Sequence, residues 1–238
     1  MQQIDLVLDK YDLDNLSAAL AIKVHSFLLS NMDEMIAKSM QTSNDLRPFS
    51  LFTIIQQNNI LLRISIFHDS ASPFIKIARE LREIQISEID ARIAVLERIE
   101  KPIITVSQLC KPAPKEFFIM IVSPASYMHR KKPSNLYSLP NLLYPVAEKL
   151  RIFEDIEISK EELSEACDLA TYTSYNIHSV EYKLGPEIVR PAFEGEFQLR
   201  PGGSAELRNK LALLLRYATY TGVGAKTALG MGGIIIQE

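Results

Sequence analysis

The sequence predicts an α+β protein made of two consecutive domains, each with the order β-α-β-β-α-β, which is the order of the ferredoxin-like fold. Short apolar runs alternate with apolar residues at helical spacing along the chain. Two prolines within 109–115 exclude regular structure near the middle. The pattern of the first half then starts again. We therefore predict an N-terminal domain at 1–110 and, at 117–238, a C-terminal domain with a glycine-rich loop.

The first half supplies one complete unit. Apolar residues at positions 4, 6 and 8 alternate, which predicts a first strand. Apolar residues at helical spacing predict a helix over 14–32. Ser72 and Pro73 are typical of the first turn of a second helix, which is expected to end near Ile84. The remaining strands of this half are predicted at 49–56, 60–67, 93–99 and 103–106.

The second half follows the same order more clearly. The continuous apolar run at 117–122 fits a buried strand, and 139–153 has the pattern of an amphipathic helix. Alternating residues at 172–182 predict another strand. The remaining elements are predicted as a strand at 193–199, a helix at 205–219 and a last strand at 231–237. No direct sequence repeat relates the two halves.

Composition and charge limit the classes of partner. The 238 residues are 47% hydrophobic and 23% charged, as in ordinary globular proteins, and the net charge is −3. A negative chain does not coat nucleic acid generally, so any RNA site must be a local patch. Cys110 and Cys167 have no metal-ligand spacing and are expected to be reduced. The N-terminus lacks a signal-peptide pattern and the apolar runs are too short for a bilayer. We expect a cytoplasmic protein without a membrane partner.

Glycine is crowded near the C-terminus. Five of the nine glycines lie between Gly222 and Gly233, and none precedes Gly185. Such crowding indicates left-handed backbone angles or the close approach of another molecule. Lys226 and Thr227 lie in the middle of this segment, and exposed N–H groups beside a cation and a hydroxyl could hold a phosphate. The candidate RNA contacts here are Gly222, Gly224, Lys226, Thr227, Gly230 and Gly232.

Three interpretations of this segment compete. A nucleotide-binding P-loop fails, because Ala225 stands where a glycine should precede the lysine and a strand follows instead of a helix. A long turn between a helix and the last strand is the plain alternative. A clamp for a nucleic-acid backbone is favoured, since a turn does not need five glycines and a lysine. On this interpretation Gly224→Val is expected to damage RNA handling more than folding.

The densest cationic run lies in the middle of the chain. His129, Arg130, Lys131 and Lys132 are consecutive, with no acidic residue from Ser123 to Leu136. A solvated loop is the plain interpretation. The functional one is contact with phosphates of an RNA duplex, because A-form RNA is recognised mostly through its phosphates and hydroxyls. Arg216, one turn before the glycines, is expected to reach the same phosphates.

These motifs resemble those of a known family. The run 213–235, Leu-Leu-Leu-Arg-Tyr-Ala-Thr-Tyr-Thr-Gly-Val-Gly-Ala-Lys-Thr-Ala-Leu-Gly-Met-Gly-Gly-Ile-Ile, resembles the C-terminal signature of the CRISPR repeat-processing endoribonucleases of the RAMP superfamily. Segments 122–132, 193–197 and 47–51 are similar to other motifs of that family. The resemblance implies tandem ferredoxin-like domains and binding of CRISPR repeat hairpin RNA.

The resemblance also implies a reaction. It is metal-independent and needs no cofactor: the ribose 2′-hydroxyl attacks the adjacent phosphate of precursor crRNA and leaves a 2′,3′-cyclic phosphate. The product is expected to stay bound, with the protein as a subunit of an effector complex beside other subunits. A non-catalytic subunit that caps the crRNA hairpin is the alternative, and a small-molecule-binding ferredoxin-like protein is a remote one.

Three residues are candidates for the catalytic site. His25 lies on the first predicted helix, where family members often carry an active-site histidine, although a core histidine is an equal possibility. Lys38 and Arg47 are expected to stabilise the transition state. The sequence departs from the family before its Arg47-Pro-Phe motif, because positions 41–44 are Gln-Thr-Ser-Asn instead of including a histidine. His68 is expected to be structural, and His178 is expected to be a surface or sheet residue.

Overall fold

The computed structural model describes residues 1–9, 17–32, 46–56, 59–86, 91–183 and 188–238. The helices are α1 (Ser17–Ser30), α2 (Ser72–Glu80), α3 (Leu139–Glu154), α4 (Lys160–Asp168) and α5 (Ala205–Thr221). The strands of the first half are β1 (Gln2–Asp9), β2 (Phe49–Ile55), β3 (Asn59–Ile66), β4 (Glu83–Ile86) and β5 (Ala91–Glu100). Those of the second half are β6 (Phe117–Ala125), β7 (Tyr127–His129), β8 (Lys132–Ser134), β9 (Thr171–Lys183), β10 (Val189–Arg200) and β11 (Ile234–Gln237).

The first sheet has the antiparallel order β2-β3-β1-β5-β4. Its central strand β1 is buried on both faces. Ile4, Leu6 and Leu8 share a hydrophobic core with residues of α1 and α2. On the opposite face, Gln3 donates through Nε2 to the carbonyl of Thr219 at 2.9 Å, so this face packs against the end of α5. The first sheet is therefore covered by its own helices and by the second half.

The second sheet has the order β11-β6-β10-β9 and is also antiparallel. Its core joins inward residues of β6 and β10 to α3, α4 and α5. A two-stranded ribbon, β7 with β8, projects from the end of β6. Without β4 and this ribbon, both sheets have the strand order of a ferredoxin-like unit, as the sequence predicts.

The stretch that joins the halves is held in place by one side chain. Arg216 donates to the backbone carbonyls of Leu109, Lys111 and Pro112 at 3.0, 2.7 and 3.0 Å. It also makes two hydrogen bonds of 2.5 and 2.9 Å to the carboxylate of Glu238. Its side chain is 7% exposed, and all of its donors are in use. The expectation that Arg216 reaches RNA phosphates is therefore wrong.

Several predicted bounds needed correction. α2 ends at Glu80 because Leu81 is extended, and β4 follows it. The strand expected at 103–106 is absent; Val106–Leu109 forms a 3-10 turn there. Sequence analysis also missed α4, although a capping box marks its start: Glu162 N–H donates to Ser159 Oγ at 3.1 Å. The ribbon was expected as a loop. The predicted helix residues 14–16 lie outside the described part of the chain.

The described helices include none that is both long and apolar enough to span a membrane.

Candidate nucleic-acid interface

The glycine loop, residues 222–233, leaves α5 and leads into β11. Eight of its backbone N–H groups donate to protein acceptors. Ala225 donates to the carbonyl of Ser126 at 2.7 Å, and Gly232 donates to the carbonyl of Pro124 at 2.9 Å. The eight donors are those of Gly222, Val223, Gly224, Ala225, Leu229, Met231, Gly232 and Gly233. The expectation of an exposed N–H cradle for phosphate is therefore wrong at these positions.

Close packing explains the glycines themselves. Gly224 has φ +68°, and a Cβ there would lie 2.3 Å from the carbonyl oxygen of Ser126. Gly232 has φ +69°, and its Cβ would lie 2.0 Å from the carbonyl oxygen of Val223. Gly230 rests on Ala21 of α1. These contacts reverse the expectation for Gly224→Val, which should damage folding first, because a side chain cannot fit.

A cleft of about 510 Å³ opens beside the glycine loop. Its walls come from α3, β7, the start of β10 and residues 224–227 of the loop. Arg190 and Lys226 line it, with Lys149 buried in its wall, against a single lining carboxylate, Glu148. The cleft is thus locally positive in a chain of net charge −3, as an RNA site in this chain requires. Tyr144, which is half-buried, adds aromatic surface on which a base could stack.

The ribbon carries the cationic run to the rim of the cleft. Tyr127 and Met128 of β7 line the cleft, and the turn that follows has Arg130 at φ 48° and Lys131 at φ 66°. Left-handed angles are uncommon for residues other than glycine, asparagine and aspartate. The four side chains His129, Arg130, Lys131 and Lys132 are exposed. The structure therefore presents these side chains beside the cleft.

Neutralising this turn should weaken RNA binding through lost phosphate contacts. We expect Arg130→Gln, Lys131→Gln and Lys132→Gln together to lower the slope of log affinity against log salt by about one unit per lost contact. The measurement is a salt titration of repeat-RNA binding with two hairpins of different sequence, which should respond alike.

The matched control removes three exposed cations of the first half, Lys76, Arg82 and Arg92. This control should leave the slope of the wild-type protein unchanged. If the ribbon variant and the wild type show equal slopes of log affinity against log salt, these side chains are solvent-exposed and do not contact RNA.

His25 and Arg47 form a pair. Arg47 Nη1 lies 2.7 Å from His25 Nε2. Because a guanidinium only donates, Nε2 must accept, which places the imidazole proton on Nδ1. The ring is 6% exposed and stacks on Phe49 with 5.9 Å between ring centroids. Burial, with a smaller contribution from the Arg47 charge, lowers the pKa of His25 to about 4. The imidazole is neutral at physiological pH.

This geometry changes the role expected for His25. The Nε2 lone pair that a general base needs is directed at Arg47, so His25 is suited to orienting the guanidinium. Leu46, the neighbour of Arg47, lines the cleft. The chain next to the pair therefore reaches the wall of the cleft, although neither His25 nor Arg47 lines it. Lys38, the third catalytic candidate, lies outside the described residues.

The other histidines are accounted for locally. His68 Nδ1 accepts from the backbone N–H of Ser70 at 3.3 Å and caps a 3-10 turn. His178 lies 3.3 Å from Glu194 on the exposed part of the second sheet. His68 thus has a structural contact, and His178 is an exposed residue of the sheet. In the described part of the chain, no group of three or more histidine, cysteine, aspartate or glutamate side chains is arranged to hold a metal ion.

Sequence analysis missed Lys149. It lies on α3 with its side chain buried, and its Nζ donates to Thr227 Oγ1 at 2.9 Å. The Thr227 hydroxyl, expected to bind RNA, therefore supports the loop from inside. A signal was present in the sequence: Leu142, Val146 and Lys149 are spaced i, i+4, i+7, which places the lysine on the apolar stripe of the helix.

Comparison with known proteins gives consistent similarities. Residues 119–234 match the family model described as CRISPR-associated endoribonuclease Cas6. A curated relative from Streptococcus thermophilus with the same description is 22% identical over 234 residues, covering 95% of this chain and 95% of the relative.

Solved structures extend the likeness to the whole fold. A Cas6 product complex superposes with a TM-score of 0.79 at 18% identity, covering 100% of this chain and 99% of the other. Cas6 from Thermus thermophilus gives a TM-score of 0.73 at 18% identity, with 99% and 98% covered. A RAMP protein described as binding different RNA substrates gives 0.65 at 16% identity, with 100% of both chains covered. These likenesses confirm the predicted class of two ferredoxin-like units in tandem.

Proposed function

We infer that this chain is an RNA-binding endoribonuclease of crRNA processing, related to the CRISPR-associated repeat-processing endoribonucleases of the RAMP superfamily. We propose the finer statement that it binds a CRISPR repeat hairpin and cleaves precursor crRNA without a metal ion. One observation carries this proposal: the cationic ribbon adjoins the positive cleft, whose wall includes Leu46, the neighbour of Arg47 in the His25–Arg47 pair.

The proposed reaction uses the RNA's own hydroxyl. The 2′-oxygen forms a bond to the adjacent phosphorus, and the bond from phosphorus to the 5′-oxygen breaks. The hydroxyl loses its proton and the 5′-oxygen gains one, which leaves a 2′,3′-cyclic phosphate and a 5′-hydroxyl. Arg47 supplies the positive charge that the pentacoordinate phosphorus needs, and neutral His25 orients it. Lys38 remains a candidate for a second cation on sequence alone.

The ribbon and Lys226 are proposed to hold the RNA backbone. We also propose that the protein stays on the mature crRNA in the cytoplasm as a subunit of an effector complex. The domain division at 1–110 and 117–238 belongs to the same proposal, with each sheet forming one domain.

Cleavage of the cognate repeat in EDTA tests the reaction. We expect full cleavage, with a product that resists 3′-end ligation until acid opens the cyclic phosphate and a phosphatase then removes the resulting monophosphate. The control is the same RNA with a 2′-deoxyribose at the scissile position, which should bind normally and remain intact. A strict requirement for a divalent ion, or a product with a free 3′-hydroxyl, would show the mechanism to be wrong.

A non-catalytic crRNA hairpin-binding subunit is the second candidate. Two observations favour it: no histidine stands at 41–44, before Arg47, and the His25 lone pair is directed at Arg47. Tight repeat binding with no cleavage under single-turnover conditions would support this candidate.

A further inference from the structure

Lys149 is a buried lysine beside the cleft. Its side chain is 2% exposed. The Nζ donates to the carbonyl of Thr221 at 2.8 Å and to Thr227 Oγ1 at 2.9 Å, and it lies 5.5 Å from the centre of the Phe67 ring. Among the ion pairs of the described residues, none joins a carboxylate to Lys149. The ammonium is thus held by neutral acceptors and a ring.

A buried cation without a carboxylate partner is costly for a fold. Removing an ammonium from water disfavours its charged form, and here burial lowers the pKa of Lys149 to about 7. Its neighbours on the helix stripe, Leu142 and Val146, are buried apolar residues. A methionine at 149 would continue that stripe without the desolvation cost. A residue that is less favourable for stability than its alternatives is expected where that residue has a role in a functional site.

The two acceptors explain what the lysine does. Thr221 is the last residue of α5, and Thr227 begins the 3-10 turn of the glycine loop. One ammonium therefore joins both ends of segment 221–227. This segment forms one wall of the cleft and carries Lys226. Lys226 has φ 62°, a left-handed angle that its surroundings must maintain.

We propose that Lys149 is a positioning residue of the RNA site, which acts through Thr221 and Thr227 to hold Lys226 at the wall of the cleft. The ligand class is an RNA phosphate at Lys226, and the inference rests on the proposed function. Lys149 does not touch the RNA on this account. Its loss should therefore weaken binding while the saturated rate of cleavage stays nearly unchanged.

The test compares Lys149→Met and Thr227→Val with Thr227→Ser, which keeps the hydroxyl acceptor. The probe is repeat RNA with a 2′-deoxyribose at the scissile position, and single-turnover cleavage of the unmodified repeat runs in parallel. We expect Lys149→Met and Thr227→Val each to weaken binding by about tenfold, the usual order for a displaced charge-assisted contact. Thr227→Ser should bind as the wild type. The saturated rate should change by less than about threefold in all three.

The double variant shows whether the loss of RNA binding on removal of Lys149 acts through Thr227. If Lys149 acts through Thr227, Lys149→Met combined with Thr227→Val should bind no worse than Lys149→Met alone. Lys210→Met, a partly exposed lysine on α5 paired with Glu162 and Glu206, is the control and should bind normally. Thermal unfolding of every variant reports the folded fraction, to which affinities are normalised.

Three outcomes overturn the inference: normal binding by Lys149→Met, additive losses in the double variant, or a binding loss that disappears on normalisation. The last would make Lys149 an ordinary core residue. Failure of the wild-type protein to bind repeat RNA would instead contradict the proposed function. The test therefore distinguishes that function from the positioning role of Lys149.

Discussion

Replacing Arg47 by alanine is expected to lower the single-turnover rate of repeat cleavage by roughly 10²–10³-fold, the usual effect of removing one donor that stabilises developing negative charge. The Arg47 guanidinium lies 2.7 Å from His25 Nε2, and the preceding residue in the chain, Leu46, lines the cleft. Binding of the intact repeat should weaken much less, since other cations hold the backbone. Quenched single-turnover assays at saturating protein measure the rate.

His25→Ala separates two roles of the histidine. As a positioning residue it should slow cleavage by up to about 10²-fold, because Arg47 loses its orientation. The wild-type rate should show no inflection near the ordinary histidine pKa of 6.5, since burial lowers the pKa of His25 to about 4. A loss of roughly 10³–10⁴-fold, with Arg47→Ala nearly unaffected, would instead assign proton transfer to His25.

The pH dependence of folding stability is a second measurement that reports on the buried, neutral state of His25. The folded-state pKa lies below the unfolded value of 6.5, so the unfolded chain binds the proton more tightly between the two values. The contribution of neutral His25 to stability is therefore complete above about pH 6.5 and declines as the pH falls toward 4. His25→Ala should lack this part of the acid dependence.

Gly224→Val is expected to destabilise the fold by roughly 2–5 kcal/mol. A β-branched residue at a left-handed angle costs about 1–2 kcal/mol, and overpacking adds about 1–3 kcal/mol. The clash is with backbone, the carbonyl oxygen of Ser126, so it cannot be relieved by moving a side chain. For a chain of this length the melting temperature should fall by roughly 4–20 °C.

Gly203→Val is the matched control for this loss. Gly203 also has positive φ, at +80°, but a Cβ there would meet the end of the flexible Leu169 side chain. Its melting temperature should fall less. An unchanged melting temperature for Gly224→Val, with RNA binding lost, would restore the clamp interpretation of the glycine segment.

Sequence patterns predicted most of the fold, because a strand with one buried face shows apolar and polar residues in alternation. They missed α4, a nine-residue helix that buries only Leu163, Ala166 and Cys167, and the ribbon, whose strands have three residues each. The site was less predictable. Arg216 looks like a surface cation in the sequence, and Lys149 shows only its place on the apolar stripe of its helix. Contacts with distant segments decide the roles of both. His25 and Arg47 were each found, but their contact joins residues 22 positions apart across a segment without a distinctive pattern.

The anchoring of the linker by Arg216 has a consequence for where the RNA is cut. Because Leu109, Lys111 and Pro112 are tied to α5, the segment between the two sheets is fixed to the second half instead of forming a loose hinge. On the proposed function, we expect the span from the cationic ribbon to Arg47 to vary little. The scissile phosphate would then be selected by its distance along the RNA from the hairpin as well as by nucleotide identity.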